Sequence, residues 1–131
     1  MKRFFIFAAL LVTASAAIAL ETPKLPAGAK KLKGSEIEAA YKDKRFLGSN
    51  FDDKSLVSFD VTTESATKTI KGNWKMASGE SGEINMTYRI QNDKWCYKPV
   101  RQGKEKCVAV YVDSAGYYEL NAKGTVSSTH N

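Results

Sequence analysis

Histidine is almost missing from this chain: the single one, His130, stands next to the last of 131 residues. Cysteine is limited to two residues and proline to three, and no apolar run beyond residue 20 approaches the roughly 20 residues of a membrane span. Each shortage excludes something. A Ser/His/Asp or Cys/His relay needs a positioned histidine, and His130 lies in the polar tail "TVSSTHN", which reads as a frayed terminus. A structural zinc needs more ligands than two cysteines and a terminal histidine supply. The Cys-x-x-Cys spacing of a thiol redox centre is absent. Asp52 and Asp53 are adjacent, so in extended chain their carboxyls point opposite ways, and "NFDDKS" reads as a turn. "SGESG" (78–82) joins two strands and opens no helix, so it lacks the geometry of a phosphate loop. The sequence therefore predicts a non-enzyme without metal or cofactor.

What is present begins with an address. Lys2 and Arg3 precede the apolar run "FFIFAALLV", and "ASA" and "AIA" offer small-residue cleavage sites ending at Ala16 or Ala19. This is the three-part pattern of a secretory signal peptide. Residues 1–19 are read as that signal, 20–34 as an extended Pro/Gly/Lys leader with little to bury, and 35–131 as one β-rich domain. Cleavage after Ala19 removes two of 20 basic residues and leaves 14 acidic ones, a charge of about +4. That charge is mild and scattered, which with export argues against nucleic acid as a partner. The mature chain is expected to be periplasmic or secreted, monomeric, and without an integral membrane segment.

Export also assigns the cysteines. An oxidising compartment favours disulfides, and Cys96–Cys107 would close a short loop worth roughly 3 kcal/mol on the chain-entropy estimate.

The body has the period-two pattern of antiparallel strands. Ile84, Met86, Tyr88 and Ile90 alternate with polar residues, as do Ile70, Gly72, Trp74 and Met76, and Val57, Phe59 and Val61. Asn92-Asp93 suits a two-residue hairpin turn, pairing Ile90 with Trp95 and Tyr88 with Tyr97. Placing Trp74 opposite Met86 would set Gly72 under Tyr88, an aromatic covering a strand glycine. A direct Cys96–Cys107 pairing sets Trp95 opposite Val108 and puts the bridge on the outer face. Ser114-Ala115-Gly116 suits a three-residue turn pairing Val112 with Tyr118 and Val110 with Leu120. Trp74 and Trp95 are both expected to be buried. Before the strands, Ser35 and Glu38 resemble a capping box, with Ile37, Ala40 and Tyr41 as the apolar stripe of a short helix. The predicted class is mainly β: an antiparallel meander of about seven to eight short strands, forming a curved sheet or small barrel with one N-terminal α-helix.

The stretches "LPAGAKKLKGSEIEAAY", "GNWKM" and "WCYKP…EKCVAVY" together resemble a family of small exported proteobacterial proteins of unknown function. That resemblance implies a disulfide-stapled β domain in the periplasm and supplies no catalytic residue. "GNWKM" is also similar to the G-x-W element of lipocalins, which in that family lies on the first barrel strand; here about fifty mature residues precede it.

Two functional classes follow. The first is a binding module for another protein or an anionic envelope glycan. It would use a rigid, clipped hairpin carrying Lys94, Lys98, Arg101, Lys104 and Lys106 beside Tyr111. The second is a lipocalin-like carrier of a small apolar ligand, with Trp74, Tyr88, Trp95, Tyr97 and Tyr118 around a cavity. Aromatics in so small a sheet are expected to fill the core rather than surround a void.

Overall fold

A computed structural model describes residues 22–52, 56–101 and 103–131; the signal segment expected over residues 1–19 lies outside them. The elements run β1 (Lys30–Lys31), α1 (Gly34–Tyr41), β2 (Arg45–Asn50), β3 (Val57–Glu64), β4 (Thr69–Met76), β5 (Ser81–Gln91), β6 (Lys94–Pro99), β7 (Lys106–Asp113), β8 (Gly116–Leu120) and β9 (Val126–His130). From β2 to β9 every strand pairs antiparallel with the next, and β9 returns to pair with β2. The meander is therefore a closed up-and-down barrel of eight strands, a solution that leaves no exposed sheet edge. The short β1 lies outside this ring and pairs with the second half of β7.

Alternation decides which side chains enter the lumen. On β3, Val57, Phe59, Val61 and Thr63 face Met76, Trp74, Gly72 and Ile70 of β4. Gly72 is required by close approach: a Cβ there would meet the Asp60 carbonyl oxygen at 1.9 Å. The β5–β6 hairpin turns on Asn92 and Asp93, both at positive φ, and pairs Ile90 with Trp95 and Tyr88 with Tyr97 as expected.

Two registers differ from expectation. Across β4–β5, Ile70 rather than Trp74 stands opposite Met86, because a tight turn over residues 77–80 starts β5 at Ser81. Trp74 then lies over Gly82, whose Cβ would come within 2.7 Å of the indole. The aromatic does cover a strand glycine, but a different one. Across β7–β8 the turn has two residues, Ser114 and Ala115, with the Asp113 carboxylate accepting from the Ala115 N–H. Val110 therefore faces Glu119 rather than Leu120, and Val112 faces Tyr117 rather than Tyr118. A shift of one residue exchanges the two faces of a strand, so Tyr117 and Glu119 turn inward and Tyr118 and Leu120 outward.

The helix closes one end of the barrel. Its cap is Lys33, not Ser35: the Glu36 carboxylate accepts from the Lys33 N–H, and Asp93 of the β5–β6 turn accepts from the Gly34 N–H. Ile37 and Tyr41 are buried against β5 and β6, as the apolar stripe requires. The leader also contributes to the core, since Leu32 is buried and donates its N–H to the Val110 carbonyl. At the other end of the chain "TVSSTHN" is not frayed. It forms β9, where Val126, Ser127, Ser128 and His130 are buried.

Candidate functional site: a lined cavity with a polar inner end

Aromatic and aliphatic side chains leave a cavity of about 410 Å³ inside the barrel. Its walls come from alternating positions of nearly every strand: Phe46 on β2, Phe59 and Val61 on β3, Ile70 and Trp74 on β4, Met86 on β5, Trp95 and Tyr97 on β6. Tyr41 of α1 lies at the closed end. Val57, Trp74, Met76 and Ile84 ring the opposite end and remain partly exposed, which gives a small molecule a route inward. A volume of this size falls within the range of small-ligand sites. Trp74 therefore departs from expectation: it is half-buried at the rim, whereas Trp95 is 4% exposed.

Tyr41, Glu119 and His130 meet on the inner wall, where Asn50, Thr63 and Ser128 also line the cavity. His130 sits among rings, 4.8 Å from Phe46, 5.3 Å from Tyr41 and 5.3 Å from Tyr117 between centroids, with Tyr117 stacked nearly flat on it. Both its ring nitrogens and the Tyr41 hydroxyl are buried without a hydrogen-bond partner among the described residues. Glu119 Oε2 lies 3.9 Å from His130 Nδ1, beyond hydrogen-bond reach. Burial penalises charge on each group. It pushes the Glu119 carboxyl up to about 7, eased by the Lys106 ammonium, and holds the His130 imidazole down near 4. Tyr41 is raised well above the usual phenol range, first by burial and then by Glu119.

Lys106 enters this group from β7. It pairs with Tyr97 on the inward face and forms an ion pair with Asp52. It is thereby set apart from the basic edge expected around the disulfide. Lys94, Lys98, Arg101 and Lys104 are exposed and face outward, and Tyr111 is half-buried beside Lys31 of β1. Lys94 opens β6, Lys98 lies near its other end, and Arg101 and Lys104 follow it, so the exposed charges form a strip, not a compact turn.

The Cys96–Cys107 disulfide is present, between directly paired residues on the outer face. Cys96 is 1% exposed, with the Arg89–Glu105 ion pair on neighbouring positions. Cys96, Glu105 and Cys107 bring potential metal ligands within 4.8 Å, yet both sulfurs are spent in the bridge. Of the five aromatics suggested as a ligand wall, Trp74, Trp95 and Tyr97 line the cavity. Tyr88 instead stacks on Trp95, and Tyr118 faces outward with its hydroxyl near Asp113.

Glu119 and His130 were not legible as partners in the sequence. "GYYEL" read in the register of a three-residue turn puts Glu119 outside, and a histidine beside the C-terminus carries no positional signal. The available clue is Asp113: an Asx residue before Ser-Ala supports the shorter turn.

No family model matches this chain, and no match is found among curated proteins or solved structures.

Proposed function

We propose that this protein is an exported, non-enzymatic carrier that holds a small, largely apolar molecule inside its barrel. The carrying observation is the cavity itself, about 410 Å³ within a domain small enough to need all the burial it can obtain. Aromatic side chains that could have filled the lumen stand around it instead. The disulfide supports export, because such bridges persist in oxidising compartments. Among the described residues no helix is long and apolar enough to cross a membrane.

The reading is tested with N-phenyl-1-naphthylamine, a neutral apolar dye that brightens on leaving water. Saturable brightening is expected, with quenching or energy transfer at Trp74 and Trp95. Val61 faces Gly72 across β3–β4, so Val61→Phe grows a ring into the lumen and should abolish binding while the β spectrum stays native. Dye binding unchanged in that variant would contradict an internal site.

A second reading rests on the outer strip Lys94, Lys98, Arg101 and Lys104 beside the Cys96–Cys107 disulfide, a rigid basic surface for an acidic protein or anionic glycan. Charge reversal at Arg101 and Lys104 should then weaken capture of a polyanion such as heparin and remove its salt dependence. Capture unaffected at low salt would leave the strip as ordinary solvated surface.

A further inference from the structure

We infer that the inner end of the cavity receives the ammonium group of an amphipathic organic cation, with Glu119 as its counter-ion and the rings around His130 as its cage. This rests on the carrier reading and goes further by naming the ligand's chemistry. Glu119 is 6% exposed in a largely apolar lining, paired with Ser128 of β9, and is not hydrogen-bonded to His130 although their side chains are neighbours. A buried carboxyl without a close cation is costly, and natural structures offset that cost with a partner. Among the described residues the one lysine on the same inner surface, Lys106, is ion-paired with Asp52 and offsets only part of the burial cost at Glu119. The rings of Tyr41, Phe46 and Phe59 line the same space, and aromatic rings attract cations to their faces. The unpartnered Tyr41 hydroxyl and the one unprotonated nitrogen of the neutral His130 ring add acceptors for ammonium N–H groups.

The charges facing Glu119 sharpen the chemistry. His130 on β9 stays neutral above about pH 4 and does not repel a cation. Tyr41 on α1 and Tyr97 on β6 also stay neutral, their hydroxyls raised by burial. Tyr117 on β8 stacks on His130, and Lys106 on β7, held by Asp52, is the single positive charge in the set. Near neutrality the Glu119 carboxyl is part protonated, its ordinary value having been raised to about 7. An arriving ammonium favours the carboxylate, so binding expels a proton and strengthens as pH rises.

Three compounds with one skeleton test this by calorimetry: 2-naphthylmethylamine, 2-naphthylmethanol and 2-naphthoic acid. At about pH 8 the amine should bind at least about tenfold tighter than the alcohol, with the acid weakest, since a buried charged contact is worth that much. The preference should shrink toward about pH 5.5 as Glu119 takes up its proton. Near pH 7 the measured heat should vary with the buffer's ionisation enthalpy, the signature of proton release. Glu119→Gln should bring amine and alcohol within about threefold of each other and abolish the buffer dependence. The wild-type pH series is decisive even if that variant folds poorly. Equal or tighter binding of the alcohol or acid overturns the cation assignment, as does a preference that survives Glu119→Gln. If none of the three binds while N-phenyl-1-naphthylamine does, the cation assignment fails and the carrier reading stands. If the dye fails too, both fall.

Discussion

Glu119 stands directly opposite Val110 in the β7–β8 ladder, and this pairing turns its carboxyl into the barrel beside His130. The two groups should write opposite pH dependences into stability. Unfolded, the glutamate ionises near 4.5, whereas folded it does so at about 7. Between those values the folded state keeps a proton the unfolded chain has lost, so this group makes stability fall as pH rises. The histidine is lowered from 6.5 to about 4, so its contribution is lost as pH falls through that window. In the wild type the slopes oppose each other. The ion-paired or hydrogen-bonded carboxyls of Glu36, Asp43, Asp60 and Glu105 are lowered and titrate beneath the window. Urea unfolding across about pH 4.5 to 6.5 should show stability rising with pH in Glu119→Gln and falling in His130→Gln. Parallel profiles in the two variants would contradict the shared buried site.

The glycine at 72 should be the least replaceable on the barrel wall. Its missing Cβ would strike the Asp60 carbonyl, a backbone atom that cannot rotate away. Gly72→Ala should cost about 3 kcal/mol or more by forcing β3 and β4 apart. Gly28→Ala, with nothing within 4 Å of its Cβ, should change stability by less than about 0.5 kcal/mol. Thermal or urea melts check both, and similar costs would refute the β3–β4 packing.

Trp95 and Trp74 should separate in the same assay. Trp95 is wedged between Tyr41 and Tyr88, so its loss to alanine should cost about 3–5 kcal/mol. Trp74→Ala, at the rim, should cost less than about half of that while reducing dye affinity. A Trp74 variant as unstable as the Trp95 variant would mean the rim is part of the load-carrying core.

The N-terminus of the helix is tied to the barrel by the Asp93 side chain. Asp93→Ala removes the acceptor of the Gly34 N–H and should destabilise by about 1 kcal/mol. Asp93→Asn, which keeps an acceptor and tolerates positive φ, should recover most of it. Faster hydrogen exchange confined to α1 in the alanine variant would locate the effect; uniform exchange throughout would not fit.

The disulfide lies outside the lumen, so its loss should weaken the fold without opening the cavity. Cys96→Ala with Cys107→Ala should lower stability by about 2–4 kcal/mol and leave dye binding intact. Loss of dye binding in a variant that still melts cooperatively would show that the bridge shapes the cavity.

Sequence alone determined the period-two strands from Val57 to Val112, the Asn92-Asp93 hairpin, the apolar face of the helix and the pairing of the two cysteines. Each is a local property: alternation over a few residues, a turn dipeptide that accepts positive φ, or a bridge with only one possible partner. Tertiary structure alone decided closure, because whether a meander curls shut depends on the last strand reaching the first. It recruited "TVSSTHN", whose polar residues carry no strand signal, by offering unpaired backbone groups of β2 and β8. It also decided the site. One residue fewer in the β7–β8 turn moved Glu119 from solvent to lumen, and closure brought the C-terminal histidine against it. Strand propensities hardly distinguish these alternatives. The backbone hydrogen bonds of a closed ladder do, because the last strand pairs with both β8 and the first barrel strand.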